Sequence, residues 1–277
     1  MAFWLILAMG ACSLRVSLGS VGAGSTDLGT ALPYILVIVM PLVSMGLALK
    51  WFADGENMAQ PDLRLARFGK WRVVDSAQAK AHPLYGASGI MVSLLVGMLL
   101  NVPVRVAEFL VAIPAITSVV PSWLSVLHFM MTLDVVLLTS LYTIAFVAAL
   151  RRVPLFPRLL VAVWCIDLAM QLSVAQLVAA QGLPASVAAP LQTLLDANVK
   201  KVLISVGLWA PYLLLSRRVN VTYRHRVEAL TPDPSGSITS SWLHRVALAT
   251  RDRHARLKCE LNSSARIFCL VLRQKLT

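Results

Sequence analysis

The sequence is poor in charge, and poorer still in acid. Only 14% of its 277 residues are charged, and Asp and Glu number 13 against 25 Lys and Arg, whereas an average soluble chain carries about 25% charged residues. With 58% hydrophobic residues and a mean hydropathy of +0.74, such a chain has too few polar groups to cover a water-facing surface, which excludes an ordinary soluble domain. Cysteine is scarce too. Cys12, Cys165, Cys259 and Cys269 show no C-x-x-C spacing, so neither a disulfide framework nor a zinc site is indicated. H-E-x-x-H, Walker A and G-x-S-x-G motifs are missing, and with them the enzyme classes they mark. No repeat of about 20 to 50 residues is present, which removes propellers and solenoids. The expectation is a non-enzymatic chain without metal or cofactor.

What the sequence does contain is long apolar runs. The formal charge of +12 would suit a nucleic-acid partner, but the basic residues gather at the ends of these runs, where they set membrane topology and meet anionic headgroups. The partner they imply is lipid, not nucleic acid.

Phe3 to Cys12 is a weak run, interrupted by Arg15. It reads as a first transmembrane helix, with a cleaved signal or lipoprotein segment as the rival; the charged n-region of a signal peptide is missing. Ala31 to Phe52 is a convincing span, since about 20 apolar residues cross a hydrocarbon core of about 30 Å. Leu84 to Asn101 is the third. Val102 to Pro121 is apolar but carries Pro103, Pro114 and Pro121, which predicts a kinked extension or interfacial helix in which Arg105 and Glu108 pair at i,i+3 on the outer face. Trp123 to Leu150 and Phe156 to Gln181 are the fourth and fifth spans. Val202 to Leu215 is the core of the sixth, beginning earlier and carrying Asp196, Lys200 and Lys201 near the outer interface, with Asp196 and Lys200 as an i,i+4 pair.

The predicted fold is therefore an all-α, polytopic transmembrane bundle of about six spans. An N-terminal helical hairpin (1–52) and a basic cytoplasmic connection (53–83) precede a four-helix core (84–223) and a basic cytoplasmic tail (224–277). Lys50, Arg64, Arg67, Lys70, Arg72 and Lys80, then Arg151, Arg152 and Arg158, then every basic residue after Leu215, fall on one side, making 21 of the 25 Lys and Arg. By the positive-inside rule that side is cytoplasmic, and both termini lie there. Within the connection, Leu65, Phe68 and Trp71 recur at three-residue spacing and suit a short helix in the headgroup layer, the alternative being a solvated loop. In the tail, 231–240 reads as a linker, and 241–258 as an amphipathic segment on anionic lipid or a disordered polybasic stretch.

Two stretches carry a resemblance. One is the turn Arg151 to Arg158 (RRVPLFPR), with Phe156, Pro157 and Arg158; the other is the segment from Trp209 to Tyr223, with Trp209, Pro211, Tyr212, Ser216, Arg218 and Val219 before a Thr-aromatic pair. Over about residues 85 to 223 the chain resembles the DUF2569 family of small four-span bacterial membrane proteins. The resemblance implies a bacterial inner-membrane bundle and no particular activity.

Asp134 and Asp167 stand out because an ionised carboxylate at mid-membrane costs about 2.5–3.5 kcal/mol even on lenient scales. Counted along antiparallel helices, Asp134 is about 24 Å from Leu150, while Asp167 and Gln171 are about 16 and 22 Å from Phe156. A polar seam Asp134, Gln171, Asp167 is thus available, either as a proton or substrate path or as interhelical hydrogen bonding. Gly86-Ala87-Ser88-Gly89 resembles the nucleophile motif of rhomboid intramembrane proteases. That reading fails, because His128 and Ser88 lie near opposite interfaces; the small residues are expected to allow close helix packing. The functional expectation is a membrane protein acting through a protein partner or as a homo-oligomer, the alternative being a small ion- or proton-coupled transporter using the seam.

Overall fold

In the computed structural model, residues 2–18, 20–21, 28–61, 70–117, 119–180 and 183–229 are described. The helices are α1 (Ala2–Leu18), α2 (Leu28–Trp51), α3 (Ser76–Lys80), α4 (Ile90–Ala112), α5 (Ser122–Leu150), α6 (Phe156–Ala180), α7 (Ala185–Leu215) and α8 (Arg217–Arg224). Among the described residues the strands are β1 (Ser20–Val21), parallel to β3 (Ala115–Ile116), and β2 (Trp71–Val73), antiparallel to β4 (Arg226–Glu228). Five helices among the described residues, α2 and α4 to α7, are long and apolar enough to cross a membrane, and α1 is a shorter apolar helix. The all-α polytopic bundle is the fold, and the chain is an integral, multi-pass membrane protein.

Three sequence expectations change. The third span does not stop at Asn101: α4 runs unbroken from Ile90 through Pro103 to Ala112, because a membrane helix tolerates proline where neighbouring groups re-satisfy the backbone. Tyr85 to Gly89 precede that helix. Gly86 and Gly89 have φ of 105° and 63°, and a Cβ added to either would meet nothing within 4 Å, so they serve a left-handed turn, not helix packing. Trp71 sits on β2 and not on an interfacial helix. Leu65, Phe68 and the whole of 230–277, including Cys259 and Cys269, lie outside the described residues.

The spans pack in sequence, α5 against α4 and α6, and α6 against α7, while α2 lies along α5. Two apolar clusters result. One holds Met91, Met98, Leu138, Tyr142, Phe156, Leu160, Leu213 and Tyr223; the other holds Tyr34, Phe109, Leu127, Met131, Val135, Val174 and Leu195. On each of α4 to α7 the boundary between them is polar: Arg105, Asp134, Asp167 with Gln171, and Asn198. At the first helix, the Trp4 indole donates to the Ile38 carbonyl (3.3 Å) and the Arg15 guanidinium to the Ile113 carbonyl (3.2 Å), which ties α1 to α2 and to the end of α4.

The end of the bundle that carries the basic connections is held by α8. Leu215 ends α7, and the Ser216 hydroxyl caps α8 by accepting from the Val219 N–H at 3.5 Å. Tyr223 is 1% exposed; its hydroxyl donates to the Ala149 carbonyl at 2.9 Å, and its ring lies 4.9 Å from that of Phe156. Thr222 accepts from the Gly86 N–H at 3.0 Å. Gly55 approaches the α5–α6 turn so closely that a Cβ there would meet the Arg151 carbonyl at 2.7 Å.

Candidate functional site

Because α4 continues past Pro103, Arg105 stands about 22 Å along it from Ile90, inside the bundle and not at its outer edge. Arg105 is 8% exposed, and its guanidinium meets two carboxylates. Nη1 donates to Asp134 Oδ2 at 2.9 Å, and Nη2 donates to Asp167 Oδ1 and Oδ2 at 2.8 and 2.7 Å. The outer-face pairing of Arg105 with Glu108 is therefore corrected. An exposed i,i+3 ion pair is worth only a few tenths of a kcal/mol, whereas a charge buried at this depth must be matched, and two acids on neighbouring helices match it.

The remaining lone pairs are filled by polar neighbours. The Tyr142 hydroxyl donates to Asp167 Oδ2 at 3.0 Å, and the Gln171 amide to Asp134 Oδ1 at 3.0 Å. Asn198 donates to Gln171 Oε1 at 3.5 Å, and Lys201 donates to Asn198 Oδ1 at 3.3 Å and pairs with Glu108. Asp134, Gln171 and Asp167 thus come together, with Arg105 inserted between the two acids. Asp196 and Lys200 do not pair. Both are exposed, and it is Lys201 that finds an acid, Glu108, across from α7 to α4.

With both acids ionised, one guanidinium faces two carboxylates, so this core carries one net negative charge, and Glu108 with Lys201 adds none. One proton makes it neutral.

The cluster is not sealed on all sides. A cleft of about 280 Å³ reaches it between α4, α6 and α7; Arg105, Tyr142 and Asp167 form its floor, Glu108, Asn198 and Lys201 lie along it, and Trp164 and Trp209 form part of its wall. Sequence reasoning missed Tyr142, Asn198 and the roles of Arg105 and Lys201. The signal was available for Arg105: had Pro103 been taken as helical, the arginine would have fallen at membrane depth beside two intramembrane acids.

The motif residues lie at the other end of the molecule. Phe156 is fully buried against Tyr223, so the two stretches that carry the family resemblance touch one another. Pro157 occupies the first turn of α6, where its missing N–H costs nothing, and Arg158 donates to the carbonyls of Pro154 (3.4 Å) and Pro61 (3.5 Å). Trp209 and Tyr212 meet edge to face at 6.0 Å, Pro211 lies in the last turns of α7, and Val219 is buried. Arg218 donates to the Gly86 carbonyl at 3.4 Å and to the Ser88 hydroxyl. Ser88 is thus engaged by an arginine and not by a histidine.

In the same region Arg224 is buried, with Nη1 donating to Asn220 at 2.9 Å. Burial, followed by repulsion from Arg226 and Arg158, pushes its guanidinium down to about 10. Among the described residues no group of three His, Cys, Asp or Glu side chains is placed to hold a metal ion.

Fold and site together define a multi-pass helical membrane protein with a buried charge cluster between its two apolar cores. No protein-family model, curated protein or solved structure matches the chain.

Proposed function

We propose that this is a non-enzymatic carrier of the bacterial inner membrane, of the DUF2569 type, in which Arg105, Asp134 and Asp167 form a proton-linked substrate site. What carries the reading is that Arg105 and Asp167 of the charge cluster lie at the floor of a cleft, with Asp134 joined to them through Arg105. Side chains that serve only to hold helices together need no cavity, and buried charges are tolerated at membrane depth where they line one. The odd acid supports proton linkage: taking up one proton neutralises the core and loosens one of the two holds on Arg105, so that occupancy of the cleft and protonation compete for the same guanidinium. The ionisable groups that share this space are Glu108, Tyr142 and Lys201. The distribution of Lys and Arg supports a cytoplasmic position for both termini.

Reconstituted protein should support a solute-linked proton flux that Asp134→Asn and Asp167→Asn each abolish. If both variants carry the same flux as the parent, the cluster has no part in transport.

A second reading, a subunit acting through a protein partner, is favoured by the exposed Met58 and Val73 on the cytoplasmic connection. Cross-linking in the native membrane tests it: a reproducible protein neighbour at residues 53–61 is expected, and lipid alone would remove it.

A further inference from the structure

Among the described residues, every one that lines the cleft belongs to one of the spanning helices α4, α5, α6 and α7, and none comes from a connection. The lining runs from Leu94 and Leu160, about 6 Å from the ends of their helices, to Glu108, about 27 Å along α4. A cleft of that length, with no described loop at its rim, opens sideways, between α4 and α7. Those two helices are joined across it by Glu108 and Lys201 and not by close packing. The rims are apolar and outward-facing: Leu100 and Val104 on α4, and Ile204 and Leu208 on α7, are exposed. In a bilayer such rims face acyl chains, while the floor between them is charged.

The ion pair at the mouth is the second observation. Lys201 lies about 21 Å from the end of α7, yet its side chain is 53% exposed and that of Glu108 is 29% exposed. At that depth an accessible lysine needs a polar companion. Acid and base stand side by side there, with Asn198 hydrogen-bonded to the lysine at 3.3 Å.

From the lateral mouth, the apolar rims and this accessible pair of opposite charges, we propose that the cleft takes the head of a zwitterionic phospholipid bearing a phosphate and a primary ammonium, whose acyl chains stay in the bilayer. The proposal rests on the carrier reading and names its substrate class. A zwitterion suits the mouth because it exchanges one ion pair for two: Lys201 turns to the phosphate, Glu108 to the ammonium, and no charge is left unmatched. The single net negative charge at the floor draws the ammonium inward, and the aromatic residues Trp164 and Trp209 line the cleft there. The size is consistent, since about 280 Å³ lies just below the range of about 300–1,000 Å³ for drug-sized ligands, which leaves room for a small head and not for a whole lipid.

The test uses the full chain in vesicles containing phospholipids labelled on the acyl chain, one with a phosphoethanolamine head and one with a phosphoglycerol head. Loss of inner-leaflet label to an external reductant is followed beside uptake of soluble glycerophosphoethanolamine. The expected result is protein-dependent movement of the phosphoethanolamine lipid and not of the phosphoglycerol lipid. Glu108→Gln and Lys201→Gln should each slow it about tenfold, the loss of one ionic contact, and the exchanged pair Glu108→Lys with Lys201→Glu should recover it. A chromatographic profile like that of the parent establishes that each variant is folded.

Equal movement of both lipids, or uptake of the soluble head without lipid movement, would overturn the proposal. So would an absence of lipid movement while an Asp134- and Asp167-dependent proton flux persists, and that outcome leaves the carrier reading standing. Absence of all such flux removes both.

Discussion

Arg105 Nη2 and the carboxylate of Asp167 face each other at 2.8 and 2.7 Å, with Asp167 fully buried and the Tyr142 hydroxyl on the same acid. Asp134 takes one bond from the arginine and one from Gln171. The two acids are therefore unequal. Asp167→Asn should destabilise the protein by about 1–2 kcal/mol more than Asp134→Asn, since it loses more charge-assisted hydrogen bonds. Unfolding in mixed detergent micelles measures the difference, and a larger cost at Asp134 would contradict this ranking.

Removing the arginine alone should cost more than removing either acid. Arg105→Gln leaves two neighbouring carboxylates without a counter-charge, a loss of about 3–5 kcal/mol for a broken buried pair. Adding Asp134→Asn and Asp167→Asn to Arg105→Gln should restore most of that stability, because no buried charge then remains. The same unfolding assay reads both proteins.

At the α8 end, Tyr223→Phe removes one hydrogen bond to the Ala149 carbonyl and should cost about 1 kcal/mol. Tyr223→Ala also removes a buried ring packed on Phe156 and should cost about 3–5 kcal/mol. Limited proteolysis after Leu215 would report the loosening of α8, and equal protection in the two variants would argue against ring packing as the main hold.

His225 gives this region a pH dependence. Its Nε2 is buried without a partner among the described residues, and burial, then Lys80, hold the imidazole below its ordinary value, with Asp75 and Glu56 acting in the opposite sense. Between that lowered value and the ordinary one of about 6.5, the unfolded segment binds more proton than the folded one. The contribution of His225 is thus fully present above about 6.5 and is lost as pH falls through the lowered value. Proteolysis near β4 should quicken on acidification, and His225→Gln should flatten that response.

The topology prediction rests on many small preferences that agree. In a bacterial host, a reporter that fluoresces only in the cytoplasm should be active after Thr277 or within residues 54–61, and a phosphatase active only outside should work when inserted near Ala185. Phosphatase activity after Thr277 would reverse the orientation.

The class of the protein was legible in the sequence because it depends on summed quantities: the length of each apolar run and the small share of charge. Transfer free energies add along a helix, so α2, α5 and α6 could be placed from composition alone. The depth of Asp134 and Gln171 was equally accessible, since axial rise along a helix is fixed by backbone geometry, and the two side chains meet at 3.0 Å. What composition could not decide was the course of the chain at Pro103 and the partner of each charge. A proline in a membrane helix bends, breaks or leaves it intact according to what neighbouring helices offer the freed carbonyl, and that is a tertiary matter. With α4 continuous through Pro103, Arg105 lies not in an outer-face pair with Glu108 but between α5 and α6, and Glu108 finds Lys201 on α7. Local spacing supplies only i,i+3 and i,i+4 partners worth a few tenths of a kcal/mol. The larger cost of an unmatched buried charge is settled between helices, and there the packing of α4 to α7 chose the pairs.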